Sequence, residues 1–414
     1  MVYMLKRPEL VLPAGDLEKL KTAIIFGADA VYIGGKEFSL RAYAGNFSLE
    51  EMRKGLNFAR LHGRKVYVTV NILAHNRDLT KMPSYLEKLE EMKVDGIIVS
   101  DPGVLRMANR YAPSIPKTIS TQANVTNTET AFLYKELGAK RIVLARELTL
   151  EEIGEIKRDT GLEIEVFVHG AMCVAYSGRC LLSHYMTGRS ANRGECAHPC
   201  RYRYVLEEEK RPGQYFPIEE DERGSYILNS KDLCLIEYIP RLIDIGVDAF
   251  KVEGRMKSPL YIASVASVYR QAIEEYIATG EAYKEEELAR WLKELSRTAS
   301  RPFTNGFIEG ESPFIQDINK TVLKDRVAFC GMVIDYDEKK QMVKVEQRAN
   351  FGVGDEMEIL LPAGDVYQFT LTELYDEEGQ AIDRARHAKQ KVFFKVDVPV
   401  PPYSILRKGE NLSA

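Results

Sequence analysis

Short apolar runs recur along the first 280 residues, each followed by a stretch of helical periodicity. The runs are LVLPAG at 10–15, AVYIGG at 30–35, KVYVTVN at 65–71, DGIIVSD at 95–101, PKTISTQ at 116–122, KRIVLAR at 140–146, LEIEVFVHG at 162–170 and DAFKVEGR at 248–255. They are rich in Val and Ile and do not alternate, as expected of parallel strands covered on both faces. Helices are expected between them, among them LEKLKTAIIFG, 48–62, 79–92, TLEEIGEIKRDTG, one near 234–245 and LYIASVASVYRQAIEEYIATG. Gly27, Gly63, Gly138, Gly161 and Gly246 stand where helix C-caps are expected. Eight strand–helix units fit a (β/α)8 barrel of roughly 250 residues plus an insertion. A doubly wound open sheet is the alternative, disfavoured because no GxGxxG follows the first strand.

From about residue 325 the pattern changes to alternation with closely spaced turn signals (RVAFCGMVIDYDEKKQMVKVEQRANFGVGDEMEILLP), which predicts a small antiparallel β unit. The expected fold class is therefore α/β. A TIM-like barrel covers 1–280, with a cysteine-rich insertion at 171–233 after strand seven. A helical and loop connection covers 281–324, and a small C-terminal β-barrel domain covers 325–414. An insertion that long leaves from the C-terminal end of a barrel strand, where barrel enzymes keep their active sites.

Composition narrows the class. The 414 residues are 45% hydrophobic and 29% charged, ordinary for a globular protein. No apolar run reaches the roughly 18 residues of a membrane span. The N-terminus lacks an apolar segment behind a basic start, so a cytoplasmic protein with no membrane partner is expected. The net charge of −4 leaves only local basic patches for nucleic acid.

In a reducing compartment clustered cysteines serve metals or catalysis more often than disulfides. Four of the six cysteines, Cys173, Cys180, Cys196 and Cys200, fall within one short stretch, and Cys234 follows. No CxxC pair of the structural zinc kind is present. A 4Fe-4S cluster needs four thiolates and accepts ligands from separate loops, so five candidates suit it. Zinc, a redox disulfide and burial as small hydrophobes are the alternatives. Cys330, alone in the β unit, reads as a core residue.

The strand ends are polar where apolar residues would cost less: Thr69, Asn71, Asp101, Ser120, Thr121, Gln122, Arg146, Glu147, His169, Lys251, Glu253 and Arg255. His169, Gln122, Lys251 and Glu253 are the candidates for chemistry, each with a structural alternative. Arg255 and Lys257 suit a carboxylate or phosphate. Arg189, Arg193, Arg201 and Arg203 stand near Tyr185, Tyr202 and Tyr204, a combination that fits single-stranded nucleic acid by phosphate pairing and stacking. A solvated charged loop is the plainer account. No HExxH, GxSxG or Walker loop appears.

Three stretches carry a resemblance: LVLPAGDLEKLKTAIIFGADAVYIGG, EVFVHGAMCVAYSGRCLLSHYMTGRSANRGECAHPCRYRY and ILNSKDLCLIEYIPRLIDIGVDAFKVEGRMKS. Together they resemble the collagenase-like peptidases of unknown catalytic type, family thirty-two of that class, along nearly the whole chain. The likeness is greatest to the branch that hydroxylates tRNA, making 5-hydroxyuridine at the wobble position. That resemblance implies a 4Fe-4S cluster on Cys173, Cys180, Cys196 and Cys234, with Cys200 as alternative fourth ligand. It implies prephenate as an anionic co-substrate near Arg255 and Lys257. It also implies a tRNA anticodon stem-loop held by the arginine-rich loop, including Arg189, Arg193 and Arg201, and by the β domain; Asn71 is a substrate-contact candidate from its place at a strand end alone. The family name implies a peptidase instead, and a cluster-bearing scaffold working with a related subunit is the third possibility.

Overall fold

The computed structural model describes residues 5–39, 46–172, 176, 180–189, 196–197, 199, 220–221, 224–225, 231–310 and 325–409. It divides into two compact units: Met1–Leu20, Asp29–Met256 and Arg301–Thr321 in the first, and Lys21–Ala28, Lys257–Ser300 and Val322–Ala414 in the second. Among the described residues no helix is long and apolar enough to cross a membrane.

The first unit is built on a closed parallel barrel. Its strands are β1 (Glu9–Pro13), β2 (Ala30–Gly34), β3 (Lys65–Val70), β4 (Gly96–Val99), β5 (Lys117–Ile119), β6 (Arg141–Val143), β7 (Glu163–Ala171) and an eighth, Ala249–Val252. Each pairs in parallel with the next, and the eighth pairs with both β7 and β1, closing the ring. The helices between them start on local signals. Ser48 and Glu51 form a capping box on Leu49–Leu61, and Thr149 and Glu152 do the same for Leu150–Thr160. Asp101 accepts from the Val104 N–H at 3.0 Å, capping Pro102–Tyr111.

After β7 the barrel departs from a plain repeat. The strand Asp232–Cys234 runs antiparallel to β7, with Asp232 opposite Ala171 and Cys234 opposite His169. Phe303–Thr304 then adds in parallel to Asp232–Cys234. Of the insertion, the structure describes mainly the helix Leu182–Thr187 and the paired strands Glu220–Asp221 and Gly224–Ser225. Cys173, Cys200, Arg193, Arg201 and Arg203 lie outside the described residues.

The second unit holds the helices Pro259–Thr279 and Glu285–Thr298 and a six-stranded sheet. Periodicity assigns Pro259–Thr279 to the barrel, but contacts group it with this unit. The sheet order is Val366–Thr370, Glu356–Leu360, Ile405–Gly409, Val327–Asp337, Met342–Gln347, Lys391–Lys395. Among the described residues no ladder joins the two edge strands, so the small β-barrel domain expected from residue 325 onward is an antiparallel half-barrel. The chain after Thr370 folds over the apolar face instead, with Leu371 and Leu374 buried in the core and Tyr375 reaching Phe393 by one bridge. Cys330 is fully buried in that core, and burial pushes its thiol up to about 12, the mark of an inert core cysteine.

The opposite face carries buried charge. Arg407 pairs with both oxygens of Glu294, and its Nε donates to Glu358 at 2.9 Å. Arg297 donates to the same Glu358 through both Nη atoms, at 2.8 and 2.9 Å. Arg407 has no exposed surface, and removing it takes from Glu294 its close cation while Glu358 keeps Arg297. Arg407→Leu is expected to cost about 3–5 kcal/mol, the usual penalty for breaking a buried pair. Trp291, the sole tryptophan, is buried in this unit and donates to Gln271, so its fluorescence in denaturant reports the loss. An unmoved midpoint would show that the network does not hold the helix to the sheet.

Candidate active site at the barrel mouth

Register fixes which side chains enter the barrel. Val11, Ala30, Tyr32, Tyr67, Ile98 and Ala249 form an interior cluster. Their parallel partners share that orientation because side chains alternate with period two. Arg141 is thereby aligned with Thr118 and Glu163, Glu165 with Val143 and Ala249, and Lys251 with Val11 and Phe167. The barrel is therefore charged inside.

Glu9 accepts from the Tyr67 hydroxyl at 2.8 Å and pairs with Arg141 at 2.7 Å. Arg141 also pairs with Glu163 at 2.9 Å and with Glu165 at 3.1 Å. The other oxygen of Glu165 accepts from Lys251, whose ammonium lies 4.5 Å from the centre of the Tyr32 ring. Tyr32 donates to the Val252 carbonyl at 3.0 Å, with Glu253 Oε2 at 3.4 Å. Arg146 stands 4.0 Å from that same oxygen. A column of alternating charges thus climbs from the bottom of the barrel to the mouth. Burial disfavours the Arg141 cation, but Glu165, Tyr67 and Glu9 outweigh it and raise its pKa further. Burial likewise opposes ionisation of Glu9, yet Arg141 and Lys65 hold its carboxyl below the usual range.

The mouth is assembled against the turn after the eighth strand. Arg255 is buried; it donates to Ser39 at 3.0 Å and to Asn46 at 2.6 Å. Ser39 in turn bonds Thr69 at 2.7 Å. Backbone approach is close here. A methyl on Gly15 would lie 2.5 Å from the Arg255 carbonyl, and one on Gly34 would lie 2.2 Å from the Arg255 guanidinium. Gly170, at φ +111°, lies so near that a methyl would meet the Glu253 carbonyl at 2.5 Å. Arg146 packs its guanidinium 3.9 Å over the Phe167 ring and donates to the Ala171 carbonyl. Burial raises the carboxyl of its neighbour Glu147.

The expected site residues fall into distinct places. His169 is buried, its ring edge-on to Phe303 at 5.4 Å, and its carbonyl accepts from the Glu253 N–H. Lys251 is enclosed with Glu165, below the mouth. Glu253 is at the mouth, 9% exposed. Gln122 and Asn71 are half-buried at the ends of β5 and β3. Asp101 is a helix cap. Lys257 belongs to the second unit, where it donates to Ser300 at 2.9 Å. Arg189 follows the helix Leu182–Thr187, whose Tyr185 is 88% exposed.

Sequence reasoning passed over Arg141, Glu165, Tyr32 and Tyr67. The signal was a charged or phenolic residue inside an apolar strand at interior parity, as in EIEVFVH and KVYVTV.

Three described thiols bear on a cofactor. Cys234 is buried beside His169, and Cys180 and Cys196 are partly exposed. Ser183 accepts from the Ala197 N–H at 3.0 Å, tying the Cys196 segment to the helix Leu182–Thr187. Thiols are the donors that iron–sulfur clusters take, so the donor set suits one. Among the described residues no three His, Cys, Asp or Glu side chains gather into a metal site.

Residues 15–317 match Peptidase family U32, and residues 325–407 match the Peptidase family U32 C-terminal domain. The tRNA hydroxylation protein P1 of Bacillus subtilis is 43% identical over 406 residues, covering 98% of this chain and 96% of that one. A 23S rRNA 5-hydroxycytidine synthase of Escherichia coli is 40% identical over 271 residues, 66% of this chain and 40% of that one. A protein named collagenase from Porphyromonas gingivalis is 32% identical over 407 residues, 95% and 94% of the two chains. Both units are thus accounted for by one lineage, and the chain belongs to peptidase family U32.

Proposed function

We propose that the protein hydroxylates RNA, acting on the wobble uridine of tRNA to give 5-hydroxyuridine. The observation that carries this reading is the near full-length match to a tRNA hydroxylation protein, which spans both units. The polar mouth supports it. A base for modification must be unstacked and met by polar contacts to its edge, and Glu253, Arg146, Thr69, Ser120 and Gln122 stand at or just after the strand ends.

Charge also favours the insertion as the RNA contact. Residues 173–204 hold five arginines against one glutamate, whereas residues 325–409 hold 12 basic against 15 acidic residues. Arg189, Arg193 and Arg201 are the proposed phosphate contacts, with the exposed Tyr185 offering a stacking face. Cys173, Cys180, Cys196 and Cys234 would hold a 4Fe-4S cluster, with Cys200 as the alternative fourth thiolate. When bound, such a cluster supplies one-electron redox chemistry. Prephenate is the proposed co-substrate. Arg255 would take its carboxylate by exchanging one of its bonds to Ser39 or Asn46.

The match to a collagenase favours peptide hydrolysis as a second reading. Two measurements separate the readings. Protein purified without oxygen should be brown and carry about four irons per chain, the content of one such cluster, and Cys180→Ala should bleach it. Deleting the gene should remove 5-hydroxyuridine derivatives from tRNA nucleosides analysed by mass spectrometry. Unchanged nucleosides in a strain without a second copy, with collagen peptides cleaved by the pure protein, would establish the peptidase instead.

A further inference from the structure

The helix Leu182–Thr187 turns apolar side chains to solvent. Tyr185 is 88% exposed, and Leu181, at the N-cap, is 67% exposed. The opposite side is anchored. Ser183 has no exposed surface, and its hydroxyl oxygen accepts from the Ala197 N–H at 3.0 Å. Its carbonyl accepts from the Thr187 hydroxyl at 2.7 Å. Leu181 and Tyr185 lie two residues to either side of Ser183, so each points about 160° away from it round the helix axis. Four residues apart, they are neighbours on one face. They form an outward ridge about 6 Å long. Gly188, at φ +70°, ends the helix, and Arg189 follows.

Charge identifies what covers the ridge. Residues 173–204 hold five arginines against one glutamate, in a chain whose net charge is −4. So local an excess of cation fits a polyanion. Single-stranded RNA supplies both halves of the complement: phosphates for the arginines, and base faces for the tyrosine and leucine. Duplex RNA keeps its base faces stacked and offers the ridge nothing.

Resting on the proposed RNA reading, we propose that Leu181 and Tyr185 are a wedge that holds the wobble base out of its stack. The ridge enters the anticodon loop between that base and a neighbour, and Tyr185 stacks on the face that the neighbour gives up. Apolar side chains inserted between base steps unstack them, and a base inside a stack cannot be reached for chemistry. Arg189 grips phosphate beside the wedge. Ser183, bonded to the Cys196 segment, holds the helix against the push.

The test uses the whole protein, cluster-loaded, with an anticodon stem-loop RNA carrying 2-aminopurine at the wobble position. Fluorescence of that base rises when it leaves the stack, and anisotropy of an end-attached dye reads binding. Wild type should brighten it severalfold at saturation. Leu181→Ala/Tyr185→Ala should bind about tenfold more weakly and should still lose the brightening at saturating protein. Tyr185→Trp, which keeps an aromatic face, should retain it. Arg189→Ala should weaken binding, lower the salt slope by about one and keep the brightening at saturation. In a gene-deleted strain, wild type and Tyr185→Trp should restore 5-hydroxyuridine derivatives to tRNA, and the double alanine variant should not. If the double variant brightens the RNA as wild type does, or if wild type binds without brightening it, the wedge is refuted while RNA hydroxylation stands. A double variant that handles RNA normally but changes its state of assembly in sedimentation makes the ridge a protein contact and also refutes the wedge. A wild type that neither binds the RNA nor restores the nucleoside overturns the functional reading and the inference with it.

Discussion

Glu165→Leu is expected to destabilise the barrel by about 3–5 kcal/mol, because it leaves Lys251 buried without its carboxylate and removes one of three acceptors from Arg141. The cost is one of uncompensated charge and not of lost volume, since leucine fills nearly the same space. The double variant Glu165→Leu/Lys251→Met should therefore recover most of it, as replacing a buried pair by apolar residues is often neutral. Hydrogen exchange on peptides from β6 and β7 suits the measurement, since it resolves the barrel from the second unit, which a single melting curve does not. Additive penalties in the double variant would mean that Glu165 and Lys251 act independently and that the column is incidental.

Gly170→Ala is the second large effect. Position 170 has φ +111°, and the added methyl would meet the Glu253 carbonyl oxygen at 2.5 Å and its Cβ at 2.9 Å. The backbone penalty of about 1–3 kcal/mol is joined by overpacking of about 1–3 kcal/mol. Gly161→Ala is the matched control. It too has positive φ, at +62°, but nothing lies within 4 Å of the new methyl, so it should cost only about 1 kcal/mol. Equal losses at the two positions would remove the case for a close β7–Glu253 contact. Activity should fall with Gly170→Ala and not with Gly161→Ala, because the displaced residue, Glu253, stands at the mouth.

Much of the barrel was legible in the sequence. Six of the eight strands lie within the stretches read from Val- and Ile-rich runs and β1 and β7 overrun theirs by one residue, since burial on both faces selects those residues whatever the register. What pattern could not supply is pairing across distance. Asp232–Cys234 falls at the junction of the expected insertion and the helix after it, and it becomes a strand by docking antiparallel on β7. The helix Pro259–Thr279 carries a barrel-like apolar pattern, yet it packs within the second unit, because a helix buried nearly all round does not declare its partner. At the site, reading strand ends found Glu253 and Arg146. It also included Lys251, whose charge is already taken by Glu165. It passed over Ser39 and Asn46, loop residues that meet Arg255 only in three dimensions.

The interior column also constrains how this barrel can change over time. An apolar core drifts by single steps, since one hydrophobe replaces another at small cost. Here a single substitution at Arg141, Glu165 or Lys251 leaves a stranded charge, and only a paired one escapes that cost. Lineages should therefore cross between charged and apolar interiors rarely, and by correlated exchanges on β6, β7 and the eighth strand. Those three positions form a ratchet that preserves the scaffold beneath the mouth while the rim above it diversifies.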